Sequence, residues 1–432
     1  MSAEARLAGT LAAARWDDLP EAPRRAARRM ALNIAACAIG GATDPDVARF
    51  AAVLGRSPGE CAYLNALAAN ILDFDDQHLP TVMHPGSVVV PAAAVAAELA
   101  GAGGQDLLAA LACGTEAALR VALAVSPGHY AAGFHITATC GVFGAAVAAG
   151  RLLGLDGARM LDALGHAACQ SAGLVAGLGA ASKGAGVGAA ARAGLEAALL
   201  ARAGLRGPAA PLTGAFGFLA VQPAATHPAA LTEGLGEDWD CVRNLPKPFP
   251  VGVVLHPVVD AALALRAAGW AAEAIAGAVL HGPALLRQRA DRPAPRDARE
   301  ATVSAQHVFA AAFLRGRLTP AELSPAALAD PAIRGLAARV SVAVDQAVPQ
   351  GGVRLAARRA DGVAHEAMVP VGTGLPGREM DDALLAAKAH SLLASGAPPQ
   401  DGAALAALAA ALEAGAPAMA FAAALPFRRM TG

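Results

Sequence analysis

The chain has 432 residues, of which 55% are hydrophobic, 16% charged and only 4% aromatic, and its formal net charge is -1. That near-neutral balance, with no long run of Lys and Arg, excludes the basic face that a nucleic-acid partner requires, so an anionic substrate must be met by local cations. A chain this long can bury a large core and ordinarily divides into two domains.

Residues 1–18 scatter Glu4, Arg6, Arg15, Asp17 and Asp18 among alanines. They lack a continuous apolar stretch, so no secretory signal is expected and the protein is expected to be cytoplasmic. Apolar runs elsewhere are cut by Pro, Gly, His or Arg, so no membrane association is expected. Over 19–245, apolar and small residues recur at three- and four-residue steps, as in 93–99, 107–124 and 189–200, which predicts helices. Glu116 and Arg120, four apart, predict a supporting pair on one helix face. Gly and Pro punctuate the pattern at 101–104, 126–128, 154–157 and 207–211. The Gly and Ala of 140–150 predict a flat helix face for close packing. Cys37, Cys61, Cys113, Cys140, Cys169 and Cys241 are widely spaced with no CxxC, and are expected as reduced thiols buried like small hydrophobes.

After His256 the texture changes. Residues 340–345 (VSVAVD), 353–358 and 365–371 alternate as strands do, and Asp361-Gly362 supplies a hairpin turn between the last two. Helical signals at 305–314 and 381–395 surround them. The fold class expected is therefore mainly α: a large all-helical domain over 1–256, rejoined by 386–432, with a smaller α+β unit over 257–385.

Polar side chains concentrate in four places. The densest is Asp73-Phe74-Asp75-Asp76-Gln77-His78, followed by His84, where three carboxylates and two imidazoles are costly to hold near a core. Asp and His are metal ligands, but this spacing matches neither HExxH nor DDxxD, and no metal is expected. The second is His129 to His135, leading through Thr137 and Thr139 into a helix. The third is Ser182-Lys183-Gly184-Ala185-Gly186-Val187-Gly188, whose glycines suggest backbone close to a ligand, although the GxGxxG spacing after a strand is missing. The fourth is Lys247-Pro248-Phe249-Pro250, then His256 and Asp260. Of 34 Lys plus Arg, only Lys183, Lys247 and Lys388 are lysine. A lysine kept in so arginine-biased a chain points to a role for a compact ammonium that a planar guanidinium cannot fill.

Taken in order, LNALAANILDFDDQHLPTVMHPGSVVVPAAAVAAE, GTEAALR, GFHITATCGVFGAAVAAGRLLGLD, SKGAGVGAAARAGLEAALLARAGLRGP, KPFPVGVVLHPVVDA and SAQHVFAAAFLRG resemble the signature blocks of the MmgE/PrpD family over nearly the whole chain. Known members include 2-methylcitrate dehydratase, cis-aconitate decarboxylase and iminodisuccinate epimerase. The resemblance implies a helical domain with an α+β lid, a homodimer, a small carboxylate substrate, and no metal or organic cofactor. Carried over by motif position, it implies catalytic roles for Asp73, His84, His135, Lys183, Lys247 and His256, with Gln77, His78 and Ser182 as substrate contacts. Departures from the family pattern at Ala66, Asn70, Gln77 and Gly186, and a short stretch between Gly40 and Asn65, bear on the substrate rather than the fold.

The known chemistries share a carbanion, or its enolate-like form, beside a carboxylate. The expectation is a dehydratase-like lyase acting on a di- or tricarboxylate such as 2-methylcitrate. Lys183 and Lys247 would be the stabilising cations and His84, oriented by Asp73, the acid/base. Decarboxylase and epimerase are the enzymatic alternatives, and a non-catalytic acid-binding protein is the alternative of another class.

Overall fold

The computed structural model describes residues 1–396 and 401–429. Its contacts divide the chain into a helical unit, Met1–Pro246 with Leu385–Gly432, and a second unit, Lys247–Leu384. The break falls ten residues before the expected one at His256. The reason is packing: Val251, Leu255, Val258 and Val259 belong to the second unit's core, so the proline-stiffened segment joins the unit on its C-terminal side. Of the helical return expected over 386–432, residues 397–400 and 430–432 lie outside the described residues.

In the helical unit the predicted periodic stretches become Gly86–Ala100, Gly104–Val125, Ile136–Leu152 and Ala181–Arg202, packed with Glu21–Gly41 and Pro58–Ile71 around one core. Small residues set the spacing. A Cβ on Gly144 would lie 2.6 Å from the Gly114 carbonyl, and one on Gly114 would lie 2.7 Å from that of Gly144. These helices therefore touch backbone to backbone at the flat face predicted for 140–150. Gly104–Val125 is long and apolar enough to cross a membrane, contrary to the expectation of interrupted runs, but 94% of its 18-residue apolar stretch is buried inside the protein. The pair expected on it forms: Arg120 Nε donates to Glu116 Oε1 at 2.7 Å. It is buried, and the rest of the guanidinium donates to the carbonyls of Ala230, Glu233 and Asp238. Five cysteines are buried as expected, whereas Cys169 is exposed just past the end of its helix.

Strand β1 (Asp76–His78) pairs antiparallel with β2 (Asn244–Pro246), tying the acidic segment to residues far along the chain. The second unit carries a four-stranded sheet of β3 (Ile275–Gly282), β4 (Val340–Val344), β5 (Val353–Arg359) and β6 (Ala364–Val369), in the order β4-β3-β5-β6. β4 runs parallel to β3, while β5 and β6 form the predicted hairpin with Gly362 at φ 90°. The helices His256–Ala267 and Ala305–Arg315 share its core, where Val258, Leu265, Phe309 and Phe313 meet Leu280 and Leu355.

Candidate active site

The helix Pro58–Ile71 ends at Leu72, and Asp73 then adopts a left-handed backbone with φ 51°. Aspartate tolerates that region better than most residues, and its N–H closes the turn on the Asn70 carbonyl at 3.0 Å. The turn sends three near-neighbour carboxylates into three environments. Asp73 accepts a hydrogen bond from Lys183 Nζ at 2.7 Å, both side chains being largely buried. Asp75 is fully buried, and its Oδ2 accepts from Asn70 Nδ2 and Ser87 Oγ, each at 2.6 Å. Asp76 accepts from the Gly86 N–H at 3.2 Å and from Asn244 Nδ2, on β2, at 2.6 Å. Burial, followed by the neighbouring Asp75 charge, pushes the Asp76 carboxyl up to about 7.

His84 Nδ1 lies 2.5 Å from the Asp76 carbonyl oxygen and 3.4 Å from Asp75 Oδ1. A carbonyl only accepts, so Nδ1 carries a proton, and in the neutral ring the lone pair is on Nε2. The His84 N–H donates to Thr137 Oγ1 at 3.0 Å, in the first turn of the helix that His135 precedes. His135 is buried within electrostatic reach of Lys183, His84, Asp75 and Asp73. Burial first, then the Lys183 and His84 charges, hold its imidazole down at about 3. For Lys183, burial acts to lower the pKa, but Asp73 and Asp75 outweigh it and the net direction is up, with the Tyr130 phenol adding to the rise. At neutral pH this is a fixed ammonium beside a neutral imidazole.

Asp73, His84, His135 and Lys183 thus come together in the helical unit. The carboxylate 3.4 Å from His84 is Asp75, whereas Asp73, expected in that role, is engaged by Lys183. The glycines after Lys183 lie inside a helix rather than a loop. A Cβ on Gly184 would lie 2.7 Å from Leu67 Cδ1 and one on Gly188 2.8 Å from the Tyr63 carbonyl oxygen, so these glycines let two helices approach. Ser182, in the first turn, is exposed. Gln77 is buried, and neither atom of its amide has a hydrogen-bond partner. His78 is buried, with Nδ1 2.9 Å from Thr81 Oγ1 and Nε2 3.7 Å from Asp240 Oδ1. His129 belongs to a separate cavity of about 550 Å³, where its ring bonds Gln222 and Thr139 and stacks on Phe134 at 4.5 Å.

Asp75, Asn70, Ser87, Tyr130 and Lys388 are residues of this cluster that motif position did not assign to it. Tyr130 is one of only two tyrosines, and Lys388 one of three lysines, which was the available signal. Lys388 donates to Asn33 Oδ1 at 2.7 Å and to the Phe74 carbonyl, reaches the Asp75 carbonyl at 3.4 Å, and sits over the Phe74 ring. Among the described residues, no three His, Cys, Asp or Glu side chains are grouped to hold a metal ion.

The second unit holds Lys247, which is buried, and His256. His256 Nδ1 lies 3.0 Å from the Thr373 carbonyl, with the Phe249 ring edge-on at 5.8 Å. Asp260 accepts from the Thr373 N–H at 2.7 Å and hydroxyl at 3.0 Å, and Arg378 closes on Asp260 at 3.0 Å. A Cβ at Gly374, φ 83°, would lie 2.3 Å from Pro248 Cδ, so only glycine lets this turn press on the KPFP segment.

The chain matches the MmgE/PrpD N-terminal domain over residues 5–228 and the MmgE/PrpD C-terminal domain over 249–414. Among curated proteins it is 30% identical to cis-aconitate decarboxylase of Homo sapiens over 296 residues, 66% of this chain and 61% of that one. It is 30% identical to the Mus musculus cis-aconitate decarboxylase over 299 residues, 66% and 60% of the two chains. To the Aspergillus terreus cis-aconitate decarboxylase it is 32% identical over 211 residues, 44% and 43%. The matched region thus spans about three-fifths of the two mammalian relatives' length. On the two domain matches together, the chain belongs to the MmgE/PrpD family.

Proposed function

We propose that this protein is a lyase that generates a carbanion beside a carboxylate of a small di- or tricarboxylic acid. The observation that carries the reading is the Lys183 ammonium, held by Asp73 and grouped with His84 and with a His135 kept neutral. A proton next to a carboxylate is weakly acidic, because its removal gives that carboxylate a second negative charge. A fixed cation in a water-poor pocket stabilises this charge best. His84 Nε2 takes the proton, and Nδ1–H remains on the Asp76 carbonyl. In a dehydration, the electron pair left behind forms the alkene and expels hydroxide from the next carbon, which leaves as water once protonated. His135, being neutral, serves as a hydrogen-bond donor rather than as a charged acid. Gln77 is the preferred substrate contact, since its buried amide lacks a partner in the protein. Lys247 and His256 are assigned to substrate handling from their motif positions.

A second reading, decarboxylation with protonation of the resulting carbanion, is favoured by the names of these relatives, all three cis-aconitate decarboxylases. Incubating the full chain with 2-methylcitrate, cis-aconitate and other polycarboxylates in deuterium oxide, followed by proton NMR, separates the two. Exchange with alkene formation supports dehydration, and deuterium appearing only in a decarboxylated product supports the second. Tight binding of an acid with neither exchange nor product across the panel overturns both. In this reading the enzyme is a cytoplasmic homodimer without metal or organic cofactor. Activity should survive exhaustive EDTA treatment, and a loss restored by one divalent metal overturns that part.

A further inference from the structure

We propose that Asp75, clamped by Asn70 and Ser87, is a positioning residue that sets the orientation and proton affinity of His84. The inference rests on reading His84 as the acid/base, but its geometry is independent of any substrate.

Asp75 is fully buried, so its carboxylate stays charged only with strong local donors. Two are present: the Asn70 amide and the Ser87 hydroxyl, both at 2.6 Å and both on Oδ2. They hold that oxygen and leave Oδ1 as the one 3.4 Å from His84 Nδ1. The Nδ1 proton is already donated to the Asp76 carbonyl at 2.5 Å, which fixes the tautomer. Asp75 therefore adds a charge beside the ring rather than a second full hydrogen bond. A carboxylate that close stabilises the imidazolium and so raises the proton affinity of Nε2. The clamps come from both sides of the turn, Asn70 from the end of one helix and Ser87 from the start of the next. The carboxylate is thus anchored to the two helices that flank the His84 segment.

Burial first, and then the Asp75 charge, drives Asp76 toward its protonated form. Behind them, Lys388 binds the carbonyls of Phe74 and Asp75 and offsets that charge. His135, ahead of the helix Ile136–Leu152, lies within electrostatic reach of His84 and of the Lys183–Asp73 pair, in which Lys183 comes from a third helix.

The test is an NMR titration of His84 in full-length, ligand-free protein labelled in its histidine ring nitrogens. It compares the wild type with Asp75→Asn, which keeps the shape, and Asp75→Ser, which leaves room for a water if the amide disturbs folding. The expected result is a ten- to hundredfold fall in His84 proton affinity in either folded variant. The acid limb of kcat/KM should move to lower pH by the same factor, with KM nearly unchanged. A purely structural Asp75 would lower thermal stability and leave the His84 midpoint in place, which overturns the proposal. If the midpoint moves but no substrate in the panel shows exchange or product, the positioning role stands and the lyase reading fails. If exchange occurs in wild type and the midpoint does not move, the reverse holds.

Discussion

The two units treat their proposed working histidines differently. In the helical unit, His84 has a main-chain carbonyl on Nδ1 and a buried carboxylate 3.4 Å away. In the second unit, His256 has the Thr373 carbonyl on Nδ1, and the Asp260 carboxylate acts one step removed, by fixing the N–H and hydroxyl of Thr373. Arg378 also closes on Asp260. Both designs fix the tautomer. The first also places a negative charge beside the ring, whereas the second directs the carboxylate into holding a loop. One arrangement tunes proton affinity and the other tunes orientation.

The sharpest way to break that contrast is to remove each imidazole. His84→Gln should lower kcat by about 10³-fold, within the usual range for a lost general acid/base. His256→Gln should cost about tenfold and act mainly through KM. Equal losses in kcat, read by steady-state kinetics, would erase the distinction.

A smaller effect is expected for Lys183→Arg, which keeps the charge but not the compact ammonium that Asp73 holds at 2.7 Å. The turnover of the folded variant should fall about a hundredfold, and wild-type turnover would remove this lysine from the chemistry. Asp260→Asn should loosen the turn around Thr373 and raise KM by at most about tenfold. It should leave the His84 titration unmoved, and a shift there would mean the two designs are not separate.

The gentlest test concerns stability against pH. Asp76, at about 7 in the fold against an ordinary 3.8, holds its proton longer in the native state. It contributes stability fully below pH 3.8, and that contribution is lost as pH rises toward 7. His135, at about 3 against 6.5, has the opposite sign: its contribution is present above pH 6.5 and is lost as pH falls toward 3. The two slopes oppose each other between about pH 4 and 6.5. Urea unfolding of Asp76→Asn should therefore show stability falling more steeply toward acid than in the wild type, and His135→Gln should show it falling less steeply or rising. Unchanged slopes in both variants would refute the assignment.

Much of the helical unit was legible because small and apolar residues repeat at helical steps, and because Gly and Pro stop them cleanly. β3 was not. Its sequence, IAGAVLHG, has too few β-branched or aromatic residues to stand out from the alanine-rich helices, and its place between β4 and β5 is a tertiary fact. Motif order brought Asp73, His84, His135 and Lys183 together, and the fold does group them. Which carboxylate lies beside His84 could not be read from spacing. The left-handed turn at Asp73 hands that carboxylate to Lys183 and leaves Asp75 nearest the imidazole. The glycines after Lys183 misled for the opposite reason, since close approach to a ligand and close approach to a helix leave the same mark in a sequence. The change of texture after His256 signalled a second unit, but not that the segment 247–256 would pack with it, because Val251 and Leu255 look no different in sequence from residues of the helical unit's core.

Lys388 gives the acidic turn a timetable. The ammonium that binds the Phe74 and Asp75 carbonyls lies 313 residues after Asp75 in the chain. At ordinary synthesis rates that separation is roughly 15–60 s, during which the nascent helical unit has Lys183 for Asp73 but lacks the Lys388 ammonium behind Asp75. The entire second unit is made in that interval. A fragment ending at Pro246 should therefore leave the Asp73–His84 turn unset even where its helices form. Hydrogen exchange should find that turn the last part of the helical unit to gain protection in the full-length protein.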